Sequence, residues 1–163
     1  MIAPNLCSQS RRTFLKHALL GVGSVAIPHL VSGEERQSLY IDVHTHITQS
    51  FGVKPALSAA ELVRWMDTAE IGKAFVLPLV NPESWDHLIS VEYVLRETEQ
   101  FRGRLIPSCC IDPRMNYLNS VEAKVKHLQR YIDAGVKGYG EHKCGVNIDD
   151  PRNIEVFAAA AEL

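Results

Sequence analysis

Apolar and polar residues follow two different spacings along this chain, and the two spacings alternate. Short runs that are apolar at nearly every position predict buried strands, whereas apolar residues three or four positions apart predict amphipathic helices. The predicted strands cover residues 39–47, 73–80, 105–111 and 136–143. A predicted helix follows each strand, and these helices cover residues 58–72, 84–101, 119–134 and 150–163.

Helix boundaries are marked by residues that cap or stop a helix. Ser58, with Glu61 three residues later, has the spacing of a capping box. Gly72 is the predicted stop of the first helix and Gly135 that of the third. The third helix is capped by Asn119 or Ser120, and the fourth by Asp149 or Asp150. We expect the apolar stripes of the first two helices to face the core: Leu62, Val63, Trp65, Met66 and Ala69, then Leu88, Val91, Val94 and Leu95.

Four strand–helix units in a row predict an α/β fold with a parallel sheet covered by helices. Two architectures have this order, the doubly wound sheet and the (β/α)8 barrel. No Gly-x-Gly-x-x-Gly follows the first strand, which counts against a dinucleotide-binding sheet. Polar residues follow each strand, where barrels carry their chemistry. The prediction is therefore the N-terminal half of a TIM-type (β/α)8 barrel, with about four βα units.

The first strand ends in the pair His44 and His46. Side chains two positions apart on a strand point to the same face, so the two imidazoles lie side by side, and Asp42 shares their face one pleat deeper. Such a pair chelates a divalent metal of zinc type. The alternative is two ordinary histidines at a strand end. We expect Asp42 to orient an imidazole or to pack against the barrel floor.

The N-terminal segment has the pattern of an export signal. Arg11 and Arg12, with Phe14 and Lys16, precede an apolar run over residues 18–31 and resemble a twin-arginine (Tat) signal. The run is too short and too interrupted for a membrane span. We therefore predict a signal over residues 1–33, a barrel domain over residues 34–163, the Tat translocase as export partner, and a periplasmic or extracytoplasmic location.

Charge and cysteine content count against some classes of binding partner and of metal or disulfide site. Residues 1–33 contain three of the 17 basic residues and none of the 19 acidic ones, so the remaining chain has a net charge of −5. It contains no basic run, and we expect a small-molecule substrate rather than nucleic acid. Cys109, Cys110 and Cys144 have the spacing of neither a disulfide framework nor a Cys-x-x-Cys zinc site.

Two motifs resemble the amidohydrolase superfamily of metal-dependent hydrolases. The first is Ile-Asp-Val-His-Thr-His at residues 41–46, and the second is Gly-Val-Lys-Gly-Tyr-Gly-Glu-His-Lys at residues 135–143, followed by Ile-Asp-Asp-Pro at residues 148–151. The resemblance implies a distorted barrel with one or two divalent ions, usually zinc, and His44 and His46 as ligands. It places the other ligand histidines on strands five and six, and an aspartate that often serves as the base on strand eight.

Those later strands lie beyond residue 163, so no catalytic base is assigned and the barrel is expected to be truncated. For the 163 residues alone we expect weak or no turnover, whereas the full-length protein is expected to be an enzyme.

On the fourth strand, alternation places Glu141 and Lys143 on one face and His142 on the other. Glu141 is a further candidate ligand, and Lys143 could orient it or be carbamylated, as in some branches of the superfamily. The alternative is a Glu–Lys surface pair.

The resemblance leaves four functions open. The first is hydrolysis of an amide, ester or lactone bond by a metal-activated water. The second is nonoxidative decarboxylation by the same branch of the superfamily. The third is a deoxyribonuclease similar to the TatD-like enzymes, in which a glutamate on the fourth strand is a metal ligand, a role that Glu141 would take. The fourth is a remnant that keeps the motif without completing the site.

Overall fold

The computed structural model describes residues 40–50 and 52–163, which contain one parallel sheet flanked by helices. The sheet has four strands in the order β1-β2-β3-β4. The strands are β1, Tyr40–Thr45; β2, Ile71–Val76; β3, Leu105–Cys109; and β4, Gly138–Tyr139. All three pairings are parallel, with Asp42 opposite Ala74, Ala74 opposite Leu105, and Ser108 opposite Gly138.

An α-helix follows each strand along the chain. The helices are α1, Ala59–Thr68; α2, Val91–Thr98; α3, Val121–Asp133; and α4, Pro151–Ala161. The capping box predicted for α1 is confirmed, because the Glu61 backbone N–H donates to Ser58 Oγ at 3.2 Å and the Ser58 N–H donates to Glu61 Oε2 at 2.9 Å. Ser120 caps α3 and Asp150 caps α4, and each is one of the two caps predicted for its helix.

The core lies between the helices and the sheet and forms two clusters. One joins α1 and α2 to β2 and β3, with these fully buried members: Ile47, Met66, Val76, Val94 and Leu105. The other joins α3 and α4 to β3 and the start of β4: Ile111, Leu128, Val136, Val156 and Ala159. The predicted α/β fold with four βα units of a barrel is confirmed.

The predicted second helix is wrong over its first turns. Residues 82–84 form a short 3₁₀ turn, and α2 begins only at Val91, after Ser90 has capped it through the Tyr93 N–H. An antiparallel bridge between Leu79 and Ile89 closes the intervening loop, which takes those residues out of any helix. Leu88, predicted to face the core, is therefore 60% exposed.

Three smaller predictions are also wrong for local reasons. Helix α1 ends at Thr68, before Gly72, and the chain turns at Glu70, whose φ is +57°. Trp65 lies at the edge of the α1 stripe and is 54% exposed. The last predicted strand is much shorter, because the pairing with β3 stops at Tyr139. Residues 141–143 therefore lie in a loop, where strand alternation does not apply.

The predicted export signal, residues 1–33, lies outside the described residues, so the twin-arginine assignment and the location stay predictions. Within residues 40–50 and 52–163, none of the helices combines the length and the apolar character that crossing a bilayer requires.

Candidate metal centre

Two histidines and one glutamate meet at the carboxyl end of the sheet. His44 Nε2 lies 3.0 Å from Glu141 Oε2, and His46 Nε2 lies 3.1 Å from the same oxygen. The two imidazole rings are 5.2 Å apart between centroids and are nearly perpendicular. Among the described residues, these three make the one group of His, Cys, Asp and Glu whose ligand atoms all lie within 4.8 Å of one another.

The curvature of the sheet brings this group together. β1 and β4 are the two edge strands of the order β1-β2-β3-β4. Three strand spacings of about 4.8 Å would separate them by about 14 Å in a flat sheet. The contact of His44 and His46 with Glu141 therefore requires that all three side chains point into the concave side of a curled sheet. This is the interior side of a barrel, where barrel enzymes place their reacting groups.

A backbone carbonyl orients His46. Its Nδ1 lies 2.9 Å from the Leu77 carbonyl oxygen, which accepts a hydrogen bond only from a protonated Nδ1. The Nε2 atom, which faces Glu141, then keeps its lone pair in the neutral ring. Thr45 fixes the same strand end, because its hydroxyl donates to the Phe75 carbonyl at 2.7 Å. A carbonyl on the distal nitrogen is the arrangement that usually orients a metal-binding imidazole.

Asp42 lies beside the histidine pair and contacts the backbone. Its Oδ1 accepts a hydrogen bond of 3.0 Å from the His44 backbone N–H. This contact fixes the chain just before the two imidazoles, near an irregularity in the pairing of β1 with β2. The predicted contact of Asp42 with an imidazole ring stays a prediction. His44 has the more exposed side chain of the pair, at 58% against 23% for His46.

Glu141 follows a sharp change of direction at the end of β4. Gly140 has a φ of +146°, a conformation that residues with a side chain rarely adopt. The His142 ring makes its contacts away from His44, His46 and Glu141. Its Nδ1 is 2.8 Å from the Tyr139 hydroxyl, and its Nε2 is 2.8 Å from Asn153 Oδ1. Lys143 is exposed, and its predicted role beside Glu141 stays a prediction.

The donor set of two imidazoles and one carboxylate, with all ligand atoms within 4.8 Å of one another, suits a divalent ion. Two ligands at about 2.0–2.1 Å from a tetrahedral zinc ion lie about 3.3 Å apart. The 3.0 and 3.1 Å separations between Glu141 Oε2 and the two Nε2 atoms are close to that value. Two imidazole nitrogens with a carboxylate oxygen suit zinc and neighbouring transition metals. His44, His46 and Glu141 are therefore the residues that would hold such an ion.

The three cysteines of the described chain lie outside the group of candidate metal ligands. Cys109, Cys110 and Cys144 are free thiols. Burial raises the pKa of Cys109 and of Cys110 to about 12, so both stay protonated at neutral pH. A metal ligand must be a thiolate, and these two buried thiols therefore act as small apolar side chains.

A network of four polar side chains lies in the loops that follow β2 and β3, and the sequence alone did not predict its full extent. Asn81 and Asp112 are almost fully buried after β2 and β3, and Asn81 Nδ2 donates to Asp112 Oδ2 at 3.0 Å. Arg114 donates to Asp112 at 2.6 and 2.8 Å and, through both Nη atoms, to Glu83 at 2.8 and 2.9 Å. We call these four residues the strand-end network. The only sequence signal for Arg114 is its place two residues after Asp112.

The two carboxylates of this network, Asp112 and Glu83, have pKa values below their ordinary range. Burial by itself raises the pKa of Asp112, but hydrogen bonds from Arg114 and Asn81 outweigh it and hold that pKa at about 2. Hydrogen bonds from Arg114 hold the pKa of Glu83 at about 2 as well. Both groups are therefore ionised beside the Arg114 guanidinium throughout the neutral range, and the network is a charged one.

Asp112 should make stability depend on pH. Its pKa is lower in the folded chain than in the unfolded one, so its contribution is complete above about pH 4 and is lost as the pH falls toward 2. The expected contribution is about 2 kcal/mol. Urea unfolding between pH 7 and pH 2.5 measures it. The difference in unfolding free energy between the wild type and Asp112→Asn should shrink as the pH falls, and a constant difference would contradict this assignment.

Comparison with known proteins supports the fold. No known protein family and no curated protein sequence gives a significant match. A crystal structure of a probable 2-pyrone-4,6-dicarboxylic acid hydrolase from Acinetobacter baumannii, with citric acid bound, is similar to this chain with a TM-score of 0.52 at 10% sequence identity. The match covers 76% of this chain and 46% of that one, so the chain spans less than half of that protein. At this identity the likeness shows the shared architecture alone.

Proposed function

We propose that this protein is a metal-dependent hydrolase of amidohydrolase type. The observation that carries the proposal is the convergence of His44 Nε2 and His46 Nε2 on Glu141 Oε2 at 3.0 and 3.1 Å. The resemblance of residues 41–46 and 135–143 to that superfamily supports it, as does the likeness in fold to a probable hydrolase. A divalent ion bound in this position would supply Lewis acidity, the property that activates water and polarises a carbonyl group.

The residues of this chain have separate roles in the proposal. His44, His46 and Glu141 would hold the ion, two through an imidazole nitrogen and one through a carboxylate oxygen. The Leu77 carbonyl keeps the proton of His46 on Nδ1, so that Nε2 stays available. Thr45 and Asp42 hold the backbone on which both imidazoles are mounted. Because the Leu77 contact leaves one orientation for His46, we expect this residue to contribute more to affinity than the exposed His44.

The substrate class we propose is a small molecule with an ester, lactone or amide bond. The similar structure is that of a probable 2-pyrone-4,6-dicarboxylic acid hydrolase, and 2-pyrone-4,6-dicarboxylic acid is a lactone with two carboxylates. Within the three bond types we therefore favour a lactone. The acidic charge of the chain after residue 33 makes a long polyanionic substrate less favourable, because it adds repulsion at a distance.

The test uses the protein expressed from its complete reading frame, with the metal removed by a chelator and then restored. A panel of lactone, ester and amide substrates that includes 2-pyrone-4,6-dicarboxylic acid is assayed for hydrolysis. We expect lactone hydrolysis to fall about 1,000-fold on chelation and in His46→Ala, and to return on restoring zinc to the wild type alone. Turnover that is indifferent to both changes would refute the proposal.

A second candidate is a metal-dependent phosphodiesterase. The position of Glu141 against both histidines, just after the fourth strand, favours it, since a glutamate of the fourth strand is a metal ligand in the TatD-like deoxyribonucleases that the sequence also suggested. Single-stranded and double-stranded DNA in the same assay separate the two candidates. Metal-dependent release of nucleotides with no hydrolysis of the lactone panel would replace the first proposal by this one.

A further inference from the structure

The loop that carries Glu141 has few backbone contacts of its own. The pairing of β4 with β3 covers Gly138 and Tyr139 only, and the Gly140 N–H makes one more bond, to the Cys109 carbonyl at 2.8 Å. Glu141 is therefore the first residue after the sheet hydrogen bonds end. The placement of its carboxylate therefore depends on contacts that the loop makes beyond the sheet, and the nearest of these join His142 to Tyr139 and Asn153.

One such contact reaches across the sheet from the loop after β2. The Gly145 backbone N–H donates to Glu83 Oε1 at 2.8 Å, although the two residues are 62 positions apart. The approach is so close that a Cβ on Gly145 would lie 2.5 Å from Glu83 Oε1. Only glycine permits this contact without displacing the glutamate.

Glu83 is itself held by a paired contact with Arg114, in which each side chain is 32% exposed. Arg114 binds both of its carboxylate oxygens in a two-pronged pair and continues to the buried Asp112, which Asn81 also contacts. Paired guanidinium–carboxylate bonds are stronger and more directional than single ones. The strand-end network thus connects the buried ends of β2 and β3 to the loop after β4, four residues beyond Glu141.

We propose that Glu83 is a positioning residue of the metal centre: held by Arg114, it fixes the loop through the Gly145 amide and so keeps Glu141 against the histidine pair. The inference rests on the proposed metal centre and adds to it a residue that touches none of the three ligands. Glu83 and Arg114 lie 31 positions apart and on different loops, so the arrangement is one that only folding creates.

The test measures Co²⁺ binding to the full chain by titration calorimetry and by the visible spectrum of the bound ion. We expect Glu83→Ala to weaken binding about tenfold and to change the spectrum toward that of Glu141→Gln. Glu83→Gln keeps an oxygen that can accept from Gly145 and should restore much of the affinity. Gly145→Ala, which removes no charge, should weaken binding in the same direction.

A double-mutant cycle separates positioning from general destabilisation. If Glu83 acts through Glu141, then Glu83→Ala should have little further effect on Co²⁺ affinity in the Glu141→Gln background. Its effect should persist in the His44→Ala background. Arg152→Ala is the matched control, since it breaks an arginine–carboxylate pair with Asp150 in the same part of the chain and should leave affinity unchanged. Full additivity with Glu141→Gln would overturn the inference.

Failure of the proposed metal centre can be distinguished experimentally from failure of the positioning role of Glu83. Wild-type chain that binds no Co²⁺ refutes the metal centre, whatever Glu83 does. The positioning of the loop is then decided in the metal-free protein by the ring ¹⁵N shifts of His44 and His46, which report their contact with Glu141. Equal shifts in the wild type and Glu83→Ala would overturn the positioning role, and shifts like those of Glu141→Gln would support it.

Discussion

Replacing His46 by alanine is expected to weaken binding of Zn²⁺ by about 100-fold or more. The substitution removes one of three donor atoms, and changes to groups that merely orient a ligand already cost 10–100-fold in other metal sites. His44→Ala should weaken binding as well, but less, because the His44 side chain is 58% exposed and, among residues 40–50 and 52–163, its ring has no backbone partner like the Leu77 carbonyl of His46. Competition titration against a chromogenic chelator measures both affinities.

His127→Ala is the matched control for this prediction. His127 lies on α3 with its ring 5.1 Å from the Tyr131 ring, in contact with none of the three candidate ligands. Its removal deletes the same imidazole and should change the affinity less than twofold, within the error of the titration. An equal loss of affinity in His46→Ala and His127→Ala would mean that zinc binds elsewhere or nonspecifically.

Leu105→Ala is expected to lower the free energy of unfolding by about 3 kcal/mol. Leu105 opens β3, is fully buried, and packs in the cluster that joins α1 and α2 to the sheet. Truncation of a buried leucine loses transfer free energy and leaves a cavity, which together cost about 2–5 kcal/mol. Urea unfolding followed by circular dichroism measures the change in the midpoint and in the extrapolated free energy.

The control is the same substitution at an exposed position. Leu88 is 60% exposed in the loop before α2, so Leu88→Ala should change stability by less than about 0.5 kcal/mol. If the sequence-based expectation of a buried Leu88 in a helix were correct, both variants would be strongly destabilised. The pair of variants therefore tests the structure of this loop as well as the core.

The order of elements and the histidine pair were predictable from the sequence, because both depend on local patterns. Buried strands are continuous apolar runs, and helices show three- and four-residue spacing whatever surrounds them. His44 and His46 are two residues apart on one strand, so their shared face follows from strand geometry alone. Glu141 was predicted as a ligand on a strand over residues 136–143, to which the resemblance to a known superfamily drew attention, whereas the observed strand ends at Tyr139 and leaves Glu141 in the loop after it.

The rest of the site depends on contacts between residues far apart in the chain. Glu83 meets Gly145 and Arg114 only because β2, β3 and β4 lie side by side, and no periodic pattern marks such a meeting. The start of α2 was mispredicted for a related reason. The bridge between Leu79 and Ile89 removes a segment of adequate helical pattern from the helix. Tertiary contacts of this kind override local preference.

X-ray absorption spectroscopy of the zinc-loaded chain tests the central claim, that His44, His46 and Glu141 form a metal centre, most directly. We predict one tightly bound zinc ion with two imidazole ligands at about 2.0–2.1 Å and the remaining ligands oxygen, and loss of one imidazole from the spectrum in His46→Ala. A spectrum with sulfur at about 2.3 Å, or one without imidazole scattering, would contradict this account.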